Sequence, residues 1–200
     1  MKRLRTIALL ARRPGIAVLT DALLGNSQIE LVEVYSHSKL TKAEGGGLRP
    51  EGAEFEKVCA QAAVPLRFLD SPEARSLERF LPAGPPLDLM VVLSWRFLVP
   101  PSILASLRIG GVNIHRGALP DFRGTEPVRR AIEAGERRIA VTAQRMTGEI
   151  DIGTTVAVAW MDIDPLPPGT DVHSYAEELK SRLEPVYAPL ARTAIAAMCG

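Results

Sequence analysis

Leu89-Met90-Val91-Val92-Leu93 is an unbroken apolar run entered from the charged Asp88. Five residues is strand length, and a strand without a polar face must be covered on both sides. Such strands sit in the middle of a parallel sheet that carries helices above and below. Thr6 to Ala11 (TIALLA) is a second run of this kind, closed by Arg12-Arg13-Pro14-Gly15.

The rest of the chain alternates accordingly. Apolar residues recur at helical spacing from Ile16 to Leu24, and Gly25-Asn26 supplies a stop. Ile29 to Tyr35 reads as a strand, Phe55 to Ala62 as a helix, Val64 to Phe68 as a strand and Ala74 to Leu81 as weakly helical. Val112 to Ile114 is a further strand, and Glu126 to Glu133 begins a helix with Pro127 in its first turn. Ile139 to Gln144 and Thr154 to Met161 are two late strands. Ser174 to Ala197 is a long helical pattern interrupted near Pro185 and Pro189. The polar stretch Ser38 to Gly52, with Gly45-Gly46-Gly47, is expected to be a mobile loop. The alternation predicts an open, mostly parallel α/β sheet, and the late strands, with little helix between them, predict a mixed final part. At this length one domain, 1–200, is expected.

Lysine and arginine total 24 against 23 acidic residues, a net charge of +1. No overall field therefore draws the chain to nucleic acid or membrane. Cys59 and Cys199 stand far apart in no metal or redox spacing, which suits a reducing compartment. The basic start Met1-Lys2-Arg3-Leu4-Arg5 leads into an apolar run that stops at Arg12-Arg13, too short for a signal-peptide core or a bilayer span. The expected location is the cytoplasm. No His/Cys/Asp cluster has zinc spacing, so no metal is expected. His37, between two serines, and His173, after a Pro-Pro-Gly turn, are expected at the surface.

The informative stretch runs from Gly110 to Gly153. Asn113 and His115 stand two apart on an extended segment, so their side chains share a face. Ligands of open α/β sheets sit beyond the carboxyl ends of strands, and the ends of LMVVL and VNI are the natural places for chemistry. An amide donor beside an imidazole can stabilise an oxyanion and manage a proton, as acyl transfer requires. An aspartate from elsewhere could orient the ring and favour its protonated form. Alone, the pair is a weak signal and more often only closes a strand.

The wider pattern is more specific. NIHRGALPDFRGTEPVRRAIEAG, followed by VTAQRMTGEIDIG, resembles the core of the 10-formyltetrahydrofolate-dependent formyltransferases. Members act on methionyl-tRNA, glycinamide ribonucleotide or sugar nucleotides. Their Asn-x-His pair, Leu-Pro-x-x-Arg-Gly loop and downstream Asp-x-Gly fall on Asn113, His115, Leu119, Pro120, Arg123, Gly124, Asp151 and Gly153 without a gap. The resemblance implies a Rossmann-like sheet with helices on both faces. It also implies Asn113, His115 and Asp151 as catalytic residues, 10-formyltetrahydrofolate as formyl donor, and direct transfer to an amine without metal or covalent enzyme intermediate. Backbone groups of Trp95, Arg96, Phe97 and Leu98 would bind the pteridine. Met146, Thr147, Gly148, Glu149 and Ile150 would close over its other side.

One departure bears on the acceptor. The family usually has proline or glycine and then serine after the histidine; here Arg116 and Gly117 follow. Arg116 either binds an anionic acceptor or is solvated. Arg12-Arg13 either holds a phosphate at the first strand-to-helix turn or is ordinary helix-entry charge. Arg123 either contacts the acceptor or braces its loop, and Trp95 either walls the folate cleft or is a core aromatic. The first loop lacks the Gly-rich, Ser-Asn-containing character of the glycinamide ribonucleotide enzymes. The methionyl-tRNA enzymes carry a further C-terminal domain, for which no residues follow Gly200, so tRNA is not expected unless the chain is a piece. A small amine such as an amino-sugar nucleotide is the expected acceptor, with Arg12, Arg13, Arg116 and Arg123 around its anionic part. Glycinamide ribonucleotide or methionyl-tRNA formylation, formyl-folate hydrolysis and a non-catalytic folate-binding module are the alternatives.

Overall fold

The computed structural model describes residues 2–70 and 73–200. Seven strands form one sheet: β1 (Leu4–Leu10), β2 (Ile29–Ser36), β3 (Leu66–Phe68), β4 (Leu89–Leu93), β5 (Gly110–His115), β6 (Arg138–Arg145) and β7 (Thr155–Asp162). Their order is β3-β2-β1-β4-β5-β6-β7. The first five run parallel, and β6 and β7 continue the sheet antiparallel. The mostly parallel sheet with a mixed C-terminal part is as expected. Around it lie α1 (Arg12–Val18), α2 (Gly52–Gln61), α3 (Pro101–Ser106), α4 (Pro127–Glu133), α5 (Val172–Arg182) and α6 (Tyr187–Cys199).

The apolar run explains the layering. Every residue of β4 is buried. Leu89, Val91 and Leu93 enter a large cluster shared with α1, α2, α4, α5 and α6. Met90 and Val92 enter a smaller one shared with Ile103 of α3, Ala74 and Leu77. Fully burying one such side chain is worth roughly 1.5–3 kcal/mol, so a short strand grips both layers. β1 is also β4's neighbour, and Ala11 N–H donates to the Leu93 carbonyl at 3.1 Å. From there the chain leaves β1 toward β2 and leaves β4 toward β5. That divergence opens a crevice at the carboxyl ends.

Several local expectations change. The first helix begins at Arg12, four residues early, and loosens after Val18 into a wide turn, Leu19–Leu24. Pro14 sits in the first turn, where an N–H has no helical partner anyway. Glu73–Phe80 is two tight turns broken at Ser76. α3, entered from Pro101, has no strong periodic signal in so few residues. Pro185 does break the last helical stretch, in the turn Glu184–Val186, whereas Pro189 lies inside the first turn of α6 and leaves it intact.

The segment expected to be a mobile loop is tied down. Lys39 bridges Leu48, Thr41 and Glu44 form a reciprocal cap, and Glu44 pairs with Arg49 and Arg12. Among the described residues no helix is long and apolar enough to cross a membrane.

Candidate active site

β5 sorts its side chains by alternation. Val112 and Ile114 point into the large cluster, which leaves Asn113 and His115 on the opposite face, as the spacing predicts. His115, the last residue of the strand, is 9% exposed. Across the antiparallel pairing, Gln144 of β6 lies opposite Asn113 and Thr142 opposite His115.

Asp151, in the connection from β6 to β7, completes the group. Its Oδ2 lies 3.2 Å from His115 Nδ1 and accepts the Gly124 N–H at 2.9 Å. Its Oδ1 accepts from Gln144 Nε2 at 2.7 Å and from Asn113 Nδ2 at 3.3 Å. The three residues expected to be catalytic therefore meet around one carboxylate, which receives four donors. Asp151 holds φ +53°, a left-handed conformation uncommon outside glycine but best tolerated by Asp and Asn.

The other imidazole nitrogen is also engaged. His115 Nε2 lies 2.7 Å from the Phe122 carbonyl oxygen. Both nitrogens thus face acceptors, and only the doubly protonated ring donates to both. Gly117 makes this approach possible. A Cβ there would lie 2.7 Å from that carbonyl oxygen and 2.8 Å from His115 Nε2. The departure from the family pattern after His115 is thus a packing feature of the site.

Gln144 and Thr142 were not foreseen. Gln144 is 2% exposed and bridges Asp151 to the Gly153 N–H, which it accepts at 3.0 Å. Thr142 donates to the Gly117 carbonyl at 2.7 Å. A signal was available, because these are two polar residues at alternate positions of the otherwise apolar stretch Ile139–Gln144, in the segment that leads to Asp-x-Gly.

The segments expected to hold the pteridine flank one region. Trp95, Phe97 and Met146 all pack against the smaller cluster, while Leu98 and Ile150 are 54% and 66% exposed. Thr147, Gly148 and Glu149 are exposed beside them. Trp95 is half-buried and stacks on His37, ring centroids 4.1 Å apart. Arg96 pairs with Asp70 at 3.0 Å.

His37, expected at the surface, is instead buried, at 1% exposed. The apolar stack outweighs the hydration that its serine neighbours suggested. His173 is exposed as expected. Burial pushes the His37 pKa down from 6.5 to about 4, with Arg96 and Arg49 adding to the shift and the Leu69 carbonyl and Asp70 opposing it. Unfolded chain takes up a proton near pH 6.5 that the folded chain refuses until about pH 4. The stability from this group is therefore complete above pH 6.5 and lost as the pH falls toward 4. Over that window the loss should be about 3 kcal/mol. Urea unfolding at pH 7 and pH 4.5 should show a steeper acid loss for the wild type than for His37→Gln; equal losses would reject the assignment.

The four arginines expected around an acceptor are placed as follows. Arg12 begins α1 with φ +64° and pairs with Glu44 at 2.7 Å. Arg13 is exposed and lies 3.4 Å from Glu184 of the α5–α6 turn. Arg116 is half-buried; its Nε donates to the Tyr187 hydroxyl, tying the end of β5 to α6. It is therefore partnered and not simply solvated. Arg123 is exposed, and its carbonyl accepts from Arg130.

A Rossmann-like sheet whose carboxyl edge carries an amide, an imidazole and a carboxylate in contact is an α/β domain equipped for acyl transfer. Residues 14–185 match the family described as formyl transferase, and the chain belongs to that family. It is 31% identical over 188 residues to the methionyl-tRNA formyltransferase of Methylobacterium nodulans, covering 92% of this chain and 56% of that protein. It is 34% identical over 145 residues to that of Xanthomonas oryzae pv. oryzae, covering 72% and 46%. The chain thus spans about half the length of the curated relatives it matches.

Solved structures share the fold. Glycinamide ribonucleotide transformylase 1 from Symbiobacterium toebii superposes with TM-score 0.71 at 21% identity, covering 96% of this chain and 86% of that one. A formyltetrahydrofolate deformylase from Pseudomonas syringae pv. tomato gives TM-score 0.71 at 16% identity, covering 97% and 60%.

Proposed function

We propose that this chain, acting as one catalytic domain over residues 1–200, transfers a formyl group from 10-formyltetrahydrofolate to an amine. The observation that carries the reading is the Asp151 carboxylate, held by Asn113, Gln144 and Gly124 beneath His115. The amine nitrogen attacks the formyl carbon, and its oxygen takes up negative charge. Asn113 uses one amide hydrogen on Asp151 and has a second for that oxygen. His115 Nε2–H, now on the Phe122 carbonyl, already faces an oxygen acceptor and turns to the developing oxyanion. Collapse breaks the bond to the folate nitrogen, which gains a proton as the former amine loses one; Asp151 keeps His115 oriented and helps take up the amine's proton.

The folate segments fit a flat heteroaromatic donor. Trp95, Phe97 and Met146 offer an apolar wall, and Leu98 and Ile150 expose apolar side chains to a ligand. The acceptor is read as a small anionic amine, such as an amino-sugar nucleotide, with its charge toward Arg12, Arg13, Arg116 and Arg123. The names of the relatives favour methionyl-tRNA as a second reading.

Incubation with 10-formyltetrahydrofolate, with and without candidate amines, separates the possibilities. Formyl-amine product supports transfer, amine-independent release of formate supports hydrolysis, and binding without turnover supports a module. For the anion, Arg12→Glu and Arg13→Glu should each raise the acceptor KM about tenfold, the scale of one charge-assisted contact, while the folate KM stays within about twofold. Transfer to an uncharged amine, insensitive to salt and to both changes, would reject the arginine assignment.

A further inference from the structure

We propose that His37 is a positioning residue for the formyl donor: it holds the Trp95–Leu98 segment in the shape that receives the pteridine. The proposal rests on the folate reading above. His37 follows the last residue of β2, so the sheet delivers it to the carboxyl edge beside β1. Its Nδ1 lies 2.6 Å from the Leu69 carbonyl, which can only accept, so Nδ1 carries the proton. Nε2 is then bare, and it accepts the Arg96 backbone N–H at 3.4 Å. One neutral tautomer therefore links the chain after β3 to the segment after β4.

The ring acts on the same segment. It stacks on Trp95 with planes 20° apart and meets Phe97 edge-on at 5.7 Å. A second clamp runs parallel to it. Asp70 binds the Arg96 guanidinium and also accepts from the Ser38 hydroxyl and, at 3.1 Å, from the Lys39 N–H. The segment so held begins at Ser94, whose φ of +58° is a strained value for a residue with a side chain. Strain of this kind persists only where the surroundings enforce it, and His37 and Asp70 grip the residues that follow directly, Trp95, Arg96 and Phe97. A pteridine bound through backbone groups needs them fixed in advance, because ordering them on binding would cost affinity.

Two amide variants separate this role from simple packing. In His37→Gln the terminal amide reaches the Nε2 position and can still accept the Arg96 N–H. In His37→Asn it reaches only the Nδ1 position and loses that contact. Both variants forfeit the aromatic stack, so a packing role would weaken them alike. In a Trp160→Phe background, Trp95 is the remaining tryptophan, because the chain has two, and its fluorescence reports 10-formyltetrahydrofolate binding.

His37→Asn should raise the dissociation constant at least about tenfold and His37→Gln by no more than about threefold, on the scale of one hydrogen bond. Amide exchange at Arg96 without ligand should be faster in His37→Asn only. Equal affinities in the two variants, or losses that follow their unfolding midpoints, would overturn the positioning role. Faster exchange with unchanged affinity would leave the contact and remove its function. Failure of the unsubstituted His37 protein to bind 10-formyltetrahydrofolate would instead overturn the folate reading, and the positioning role with it.

Discussion

His115→Ala is expected to lower formyl transfer by about 10²–10⁴-fold, the range of a positioned acid–base group, while the fold persists. The side chain closes a strand and is held by Asp151 and the Phe122 carbonyl, outside the large apolar cluster. Its removal therefore costs chemistry more than packing. Asn113→Ala should cost about 10²–10³ in kcat, or about 3–4 kcal/mol, as one lost oxyanion donor does. Asp151→Asn is a harsher test than its shape suggests. The carboxylate faces donors on both oxygens, Gln144 and Asn113 on one side and Gly124 and His115 on the other. An asparagine must point its NH₂ at one of those pairs, so it should lose stability as well as activity, by about 1–3 kcal/mol. Comparing kcat with urea unfolding for the three variants separates the effects. Near-wild-type turnover in His115→Ala, with a validated acceptor, would remove the mechanism.

Gly153→Ala is expected to be the most disruptive methyl added at any glycine of this chain. A Cβ at this position would sit 1.7 Å from the Arg145 carbonyl oxygen and 2.9 Å from its carbon. Backbone cannot yield as a flexible side-chain tip can, so the β6–β7 connection must shift. Gly153 N–H is also the donor that holds the Gln144 side-chain Oε1, and Gln144 Nε2 in turn holds Asp151. The stability loss should reach about 3 kcal/mol, the upper part of the range for overpacking, and activity should fall with it. This gives a physical reason for glycine two residues after the aspartate. A variant that unfolds within about 0.5 kcal/mol of wild type, the scale of a neutral surface change, and turns over normally would show that the contact is not tight.

The sheet and the pairing of Asn113 with His115 were legible because each rests on short-range pattern. The apolar run of β4 dictates burial on both faces, and two-residue spacing puts Asn113 and His115 on one side. Asp151 was placed by resemblance; no spacing rule brings a residue 36 positions beyond His115 back to its ring. Gln144 escaped because its role depends on register across β5 and β6. His37 was misread for a related reason. Serines on either side describe its neighbours in sequence, whereas its environment is Trp95, Phe97 and Leu69, contributed by other connections. α3 and the tight turns at Glu73–Phe80 are too short for periodicity to register.

The change of strand direction at β5 has an evolutionary reading. The proposed chemistry lies wholly between Gly110 and Gly153, on the last parallel strand and the antiparallel hairpin that follows it. Arg12, Arg13, the Ser38–Arg49 segment, His37 and Trp95–Leu98 come from the parallel half, before β5. A genetic exchange between Leu98 and Gly110 would therefore exchange those residues in one event and carry the proposed reacting groups across intact. Only Met146–Ile150 and the arginines at 116 and 123 would travel with the chemistry. In such a scaffold the residues proposed to hold the donor and two of the four proposed acceptor arginines can vary together, while Asn113, His115 and Asp151 stay in one inherited block.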